Sequence, residues 1–371
     1  MVSSLLSDDA LAAYWGDSPR FSIDTVREQS ESLFRAFGLS AEEAAIATRP
    51  LLAADLRGIE SHGVARLRSY GDGFIDGRIV ADAPLTIDRE SPVSVAFNAN
   101  DGSGLIQGQR AMTRVIDKAN DTGLCMGTVR ESTHFGIAGY YAMMASQAGM
   151  VGISMTNTGA LAAPTFGSKA MLGSNPIAIS LPATDNTPEF VLDMSTSTAA
   201  YGKIEVAQRA KKPIPHGWAI DTDGNPTTDP FAFGAFLPLG GVRETSGHKG
   251  YGLGLLVDLL CGPLAGAAAS HQISAAYYAG QRFRIGHFFA AWRVDAFRDP
   301  ADFAADVADL FDTLRSTPIA PDSPSDRVLI PGEPEAAQES YNARHGLPVR
   351  PAVIDDVRAL CTEWKVDFLL G

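Results

Sequence analysis

Apolar residues recur at helical spacing between Phe21 and Phe37, through Ile23, Val26 and Leu33, and the pattern stops at Gly38, a residue suited to ending a helix. Ser40 and Glu43 have capping-box spacing and predict a second helix over Ala41 to about Leu56. His62 to Asp76 reads as a third helical element. The chain before residue 80 is thus predicted to be helical, behind twenty residues of irregular or helical extension.

The texture then changes. Val93 to Phe97 alternates like a strand, and the turn Asp101-Gly102-Ser103-Gly104 leads into a helix of about Leu105 to Asn120. Strands are predicted at Cys125–Val129, Met150–Thr156, Ile177–Leu181, Phe190–Asp193 and Phe283–Val294. Helices are predicted at Gly136–Gln147, in part of Met194–Ala210, at Gly250–Leu264, at Asp302–Leu314 and at Pro351–Trp364, the last with proline at a favourable first position. Thr317 to Glu339, rich in Pro, Ser and Asp, reads as an exposed connection. No internal repeat appears, and the whole is an α/β mixture with helical material at both ends.

Composition narrows the class. The 371 residues are 45% hydrophobic and 20% charged, which suits a soluble enzyme of two domains or one elaborated one. A net charge of −13 argues against nucleic acid as a partner, because that binding relies on Lys and Arg to neutralise phosphates. Cys125, Cys261 and Cys361 are far apart and odd in number, as expected in a reducing cytoplasm rather than in a disulfide scaffold. The start, Met1 to Asp9, has no basic region and argues against a signal peptide. The apolar run Tyr251 to Ala269 is interrupted by Asp258 and reads as a buried helix, not a membrane span, which needs about 20 largely uncharged residues.

The common chemical signatures are missing. No GxGxxG follows a predicted strand; Gly250-Tyr251-Gly252-Leu253-Gly254 lies inside the apolar helix. There is no phosphate loop, no HExxH and no GxSxG, and the seven histidines are scattered, so no metal site is expected. What remains is Asp55 to Tyr70, where His62, Arg66 and Tyr70 recur every four residues and would share one face of a helix. An acid/base beside a carboxylate-binding fork is what reduction of a 2-oxo acid needs. A solvated basic face at a helix start has the same spacing.

Further polar and glycine-rich segments accompany it: Arg130 to Tyr140, Thr156-Asn157-Thr158 with Gly173 to Ala178, Asp193 to Ser197 with Tyr201-Gly202-Lys203, and Ile214 to Ala219 with Gly247 to Leu253. With Ser61-His62-Gly63, these motifs resemble the malate/L-lactate dehydrogenase family, nicotinamide-dependent oxidoreductases without a Rossmann turn, from about Phe21 to the C-terminus. That family includes ureidoglycolate and sulfolactate dehydrogenases and cyclic-imine-2-carboxylate reductases. The resemblance implies a mixed α/β fold: a non-Rossmann NAD(P)-binding α/β domain (89–299) and a helical domain built from both chain ends (1–88 with 300–371). It also implies a homodimer with active sites near the subunit interface.

The resemblance implies residue roles as well. His62 matches the proton donor/acceptor, and His134 is its rival for that role. Ser61, Arg66 and Tyr70 would bind substrate, with the Arg66 fork on its carboxylate. Thr158, Asp193, Met194, Ser195 and Lys249 match positions that contact NAD or NADP. Asn157 and Asn175 would hold turn backbone, Ser132 and Thr133 would cap the helix after His134, and Arg57 and Arg68 read as surface or ion-pair residues. The loop Pro238–Ser246 is longer than in some relatives, and its Arg243 could alter cofactor contacts. The expected activity is interconversion of a malate- or lactate-like 2-hydroxy acid and its 2-oxo acid. The alternatives are reduction of a cyclic imine carboxylate and non-catalytic binding of a small acid.

Overall fold

A computed structural model describes residues 6–184, 187–278 and 280–371. Helix α1 (Asp8–Trp15) and strand β1 (Arg20–Phe21) precede α2 (Ile23–Ala36) and α3 (Ala41–Leu56). The two long helices begin as their sequences suggest, with the Ser22 and Ser40 side chains accepting the Thr25 and Glu43 N–H groups. Two 3-10 turns, Glu60–His62 and Val64–Arg66, lead into α4 (Leu67–Ile75). The α/β part follows as β2 (Thr86–Ser91), β3 (Ser94–Asn98), α5 (Gly104–Thr122), β4 (Leu124–Ser132), α6 (Ala138–Gln147), β5 (Met150–Thr156), β6 (Ile177–Leu181) and β7 (Phe190–Met194). Next come α7 (Tyr201–Ala210), the short strands β8 (Ala219–Ile220), β9 (Pro226–Thr227) and β10 (Ala235–Phe236), then α8 (Gly247–Cys261), α9 (Ser270–Tyr278) and β11 (Ile285–Arg293). The chain closes with α10 (Pro300–Arg315), α11 (Glu333–His345), β12 (Leu347–Pro348) and α12 (Pro351–Trp364).

Seven strands form one sheet in the order β2-β3-β4-β11-β5-β6-β7. Every neighbouring pair is antiparallel except β3 with β4. Strand β11 arrives from late in the chain and inserts between β4 and β5, so the ends of these three strands carry residues from distant sequence to one place. Its pattern is almost continuously buried, as a central strand covered on both faces requires. Helices α5 and α6 cover one apolar cluster of this sheet, through Met112, Val115, Tyr141 and Phe289, while α8 closes another with Val257 and Cys261.

A separate cluster joins the two chain ends. Leu33, Phe34, Leu51, Leu67 and Tyr70 pack with Leu347, Ile354, Val357 and Leu360. Strand β1 pairs with β12, and Arg20 donates to the Gly346 carbonyl at 2.7 Å. Among the described residues no helix is long and apolar enough to cross a membrane, and the run ending at Ala269 is the half-buried helix α8 followed by a turn. Residues Met1–Leu5, which carry the beginning of the N-terminal extension, lie outside the described residues.

The stretch Thr317–Glu339 departs from its expected exposure. Its second half turns inward: Ile330, Glu333 and Gln338 are buried, and α11 begins within it. The Glu333 carboxylate binds Arg315, Arg327 and the Ile330 N–H, which satisfies a buried charge that composition alone reads as solvated. Gly332, with φ of +97°, lies against β7, where a Cβ would sit 2.8 Å from the Val191 nitrogen.

Candidate active site

His62 and Tyr70 do not share one helical face. The helix expected from His62 to Asp76 starts only at Leu67, because the chain breaks at Gly63 between the two 3-10 turns. The cause is Asp55, near the end of α3. Its Oδ2 accepts the Val64 N–H at 2.9 Å, and its carboxyl fills the space where a Cβ on residue 63 would lie, 1.7 Å from Oδ1. Desolvation raises the Asp55 pKa to about 7, the effect of holding a carboxyl in a buried corner. On the other side Arg350 pairs with Glu60 at 2.8 Å, and Asn342 donates to the carbonyls of Asp55 and Leu56. The turn carrying His62 is therefore braced from α3 and from the C-terminal segment.

The break brings the two histidines together instead. The rings of His62 and His134 stack with centroids 5.4 Å apart and planes at 28°. His62 Nδ1 meets Ser61 Oγ at 2.8 Å. His134 Nδ1 accepts the Gly136 N–H at 3.3 Å and meets the Tyr70 hydroxyl at 2.7 Å. Tyr70 is buried against Phe34, so its hydroxyl is committed to His134 rather than presented as a separate donor. Arg66 is exposed, and its Nε donates to the Ser61 carbonyl at 2.7 Å, leaving the two terminal nitrogens without protein partners among the described residues. Burial lowers the His62 pKa to about 4, with Arg66 adding to the effect, and holds that of His134 well below its usual value. Both rings are neutral near pH 7.

Sequence reasoning missed the support beneath His134. His287, on β11, is fully buried and bonds Ser132 Oγ through Nε2 and Thr156 Oγ1 through Nδ1, each at 2.8 Å. Its ring lies flat on Phe135, with centroids 4.5 Å apart. One side chain thus ties the end of β4, just before His134, to the end of β5, just before Thr158. No local signal reveals this, because Ser132 and His287 are 155 residues apart. Ser132 and Thr133 do not cap α6 as expected; Thr133 Oγ1 accepts the Gly104 N–H at the start of α5.

The residues matched to cofactor contacts fall in four places. Thr158 and Ser195 meet around Ser174: Thr158 Oγ1 accepts the Ser174 N–H at 3.0 Å, and the Ser195 hydroxyl donates to the Ser174 carbonyl at 3.1 Å. Asn175 holds this turn as expected, accepting the Thr158 N–H and donating to the Gly254 carbonyl of α8, while Asn157 bonds Asp258 and Gly286. Met194 packs against the apolar cluster under α8. Lys249 is exposed in the first turn of α8 and has no ion pair or side-chain hydrogen bond among the described residues. The close approach permitted by Gly250 is to the Leu239 backbone, since a Cβ there would lie 2.1 Å from that carbonyl oxygen. Arg243 of the same long loop meets His248 at 3.1 Å.

Asp193 opens on a cavity of about 290 Å³ lined by Arg57, Ile137, Gly139, Met143, Ile330 and Glu335 among others. Its Oδ2 accepts the Gly139 N–H at 2.7 Å, the capping role expected of Ser132 or Thr133. The carboxyl faces the cleft, yet the protein around it raises its pKa to about 6. Arg57 forms an ion pair, as expected, with Glu339 at 2.9 Å from a buried place on the cleft wall, and Arg68 bonds Asp356 and Glu363, also as expected. Carboxylates suited to hydroxyl donors and apolar faces suited to a flat ring fit a nucleotide. Among the described residues no three His, Cys, Asp or Glu side chains gather as a metal set.

Comparison with known proteins extends this picture over nearly the whole chain. Residues 21–358 match the malate/L-lactate dehydrogenase family model. A malate dehydrogenase of Pyrococcus horikoshii is 39% identical over 336 residues, covering 90% of this chain and 92% of the relative. A (2R)-3-sulfolactate dehydrogenase (NADP(+)) of Chromohalobacter salexigens is 32% identical, covering 87% of this chain and 92% of the relative. The crystal structure of malate dehydrogenase from Entamoeba histolytica superposes with a TM-score of 0.89 at 34% identity, covering 95% of this chain and 99% of that one.

Proposed function

The chain belongs to the malate/L-lactate dehydrogenase family, and from that premise we propose that it interconverts a small 2-hydroxy acid and its 2-oxo acid with NAD or NADP, one histidine exchanging the proton. The observation that carries this reading is the stacked pair His62 and His134 beside Arg66, whose two terminal nitrogens have no partner among the described residues. A planar fork pairs with a carboxylate through two parallel hydrogen bonds, and a neutral imidazole beside it can take a hydroxyl proton. The nicotinamide, when bound, supplies or accepts the hydride at substrate C2.

The rest of the assignment follows the same logic. The Asp193 cleft, with the Thr158, Ser174 and Ser195 turn and Lys249, binds the cofactor; Asp193 keeps one carboxylate oxygen for a ribose hydroxyl. The largely antiparallel sheet supports cofactor binding without a Rossmann turn. Separate apolar clusters support a helical domain from both chain ends and a mixed α/β domain between them. Exposed Leu256, Leu259 and Leu264, on or just beyond α8, support burial in a homodimer. Three unpaired, buried cysteines support a cytoplasmic setting.

The test is nicotinamide absorbance with NADH and NADPH in parallel, against pyruvate, oxaloacetate, 2-oxoglutarate, an oxo-sulfonate and a cyclic imine carboxylate. Oxidation of cofactor with one 2-oxo acid is the expected result. Turnover of the cyclic imine alone, or no cofactor binding at all, would overturn the proposal.

A further inference from the structure

The two histidines are not equivalent, and the difference lies in what each Nδ1 touches. A peptide N–H can only donate. Gly136 N–H points at His134 Nδ1 at 3.3 Å, so that nitrogen must offer its lone pair. The Tyr70 hydroxyl, 2.7 Å away, then donates to the same atom. With Nδ1 an acceptor, the single ring proton of neutral His134 sits on Nε2. A proton added at Nδ1 would oppose the Gly136 N–H and force the Tyr70 hydroxyl to turn.

His62 has no such restriction. Its Nδ1 partner is the Ser61 hydroxyl, which donates or accepts as needed. When Nδ1 carries the proton and Ser61 accepts it, Nε2 is bare and open to a substrate hydroxyl. When Nε2 gains that proton, the Ser61 oxygen still accepts from Nδ1–H, so the imidazolium keeps its hydrogen bond.

We propose that His134 is a neutral hydrogen-bond donor to the substrate's C2 oxygen, its tautomer locked by Tyr70 and the Gly136 amide, and that His62 alone exchanges the proton. This rests on the dehydrogenase reading above. In oxidation the C2–H bond breaks with its electron pair passing to the nicotinamide. The O–H bond gives its proton to His62 Nε2, and the C2=O double bond forms; reduction reverses each step. His134 Nε2–H remains bonded to the oxygen throughout, and Tyr70 is a positioning residue.

The surroundings agree. The titratable and charged groups that act on His134 are His62 and Arg66 from the two 3-10 turns, Tyr70 from α4 and His287 from β11. None is a carboxylate, so nothing there favours an imidazolium at position 134. His62 faces Arg66 directly. Burial is the larger cause of the low His62 pKa and Arg66 the smaller; a substrate carboxylate placed on Arg66 would offset the Arg66 part and so raise the His62 pKa.

Two measurements test this. In the first, the full-length protein is labelled with ¹⁵N in histidine, and the ring nitrogens are assigned by two-bond ¹H–¹⁵N correlation from pH 8 down to pH 5. His134 is expected to show a protonated Nε2 and a bare Nδ1 at every pH; a protonated Nδ1, or titration to the imidazolium, overturns the proposal. In the second, H134Q and H62Q are compared with the unsubstituted enzyme on its best 2-hydroxy acid. Glutamine keeps an N–H donor but exchanges no proton, so H134Q is expected to lose about tenfold in kcat, the scale of one altered hydrogen bond. H62Q is expected to lose about 10²–10⁴-fold, the scale of general acid/base catalysis, together with the acid limb of the pH profile. The reverse ranking overturns this assignment and leaves the dehydrogenase reading standing. If the unsubstituted protein oxidises no 2-hydroxy acid and binds no cofactor, the dehydrogenase reading fails, while the tautomer is still decided by the first measurement.

Discussion

Asp193 accepts the backbone N–H of Gly139 at 2.7 Å, and this one bond joins the edge strand β7 to the first turn of the helix that follows the His134 loop. A carboxylate at a helix start satisfies an orphan donor and suits the positive end of the helix dipole. With its pKa near 6, Asp193 is ionised above that pH and protonated below it. Affinity for NAD(H) is therefore expected to fall as pH drops through 6, measured by quenching of tryptophan fluorescence. In Asp193→Asn that dependence should flatten. Gly139→Ala, whose Cβ would lie 2.8 Å from Asp193 Oδ2, should weaken cofactor binding at every pH.

Removing His287 leaves the Ser132 and Thr156 hydroxyls without their shared partner and Phe135 without its stacked ring. His287→Ala is expected to cost about 3 kcal/mol, the scale of unsatisfied buried polar groups plus lost packing, read from urea unfolding. Its pKa is lowered to about 3 and that of His62 to about 4, so the native state excludes protons that the unfolded chain binds below about pH 6.5. Their contribution to stability is complete above pH 6.5 and is lost as pH falls towards 3. Unfolding midpoints across pH 7.5 to 4 should show that decline, reduced in His287→Gln.

Arg66→Lys keeps a positive charge and removes the fork. Loss of one charge-assisted hydrogen bond corresponds to about a ten- to hundredfold rise in KM for the 2-oxo acid. A smaller change in kcat is expected, because the carboxylate contact is made in the ground state as well as in the transition state. Steady-state kinetics with the best acid of the panel reads the two parameters separately.

Asp55 has the opposite sign to the histidines. The folded protein keeps its carboxyl protonated to about pH 7, whereas the unfolded chain releases the proton near 4. Stability from this residue is complete below pH 4 and declines as pH rises through 7. Asp55→Asn retains an acceptor for the Val64 N–H and is expected to remove that slope, measured by thermal unfolding between pH 5 and 8. Gly63→Ala, with no room for its Cβ, should lower both melting temperature and kcat.

The helix starts at Ser22 and Ser40, the proline opening α12 and the strands from Met150 to Asp193 were legible because capping chemistry and periodicity are local. The family was legible through its motifs, and residues 21–358 match its model. What could not be read was non-local. The break at Gly63 is imposed by a carboxyl eight residues upstream, and the hydroxyl that meets His134 Nδ1 comes from a tyrosine 64 residues away. The inward turn of Thr317–Glu339 depends on arginines and on β7, none of which its own composition reports.

The bracing of the His62 turn by Arg350, Asn342 and the Asp356–Glu363 pair on Arg68 has a consequence for biosynthesis. A ribosome makes residues 55–70 nearly three hundred residues before their clasps. Until the final helices emerge, Glu60 and Arg68 lack their charge partners and the Asp55 and Leu56 carbonyls lack Asn342. Such long-range closure is slow and leaves apolar surface open to chaperones and proteases. The Glu60–Tyr70 segment is thus translated long before the residues that seat it, so a nascent chain holds this turn only after residues 342–363 have emerged.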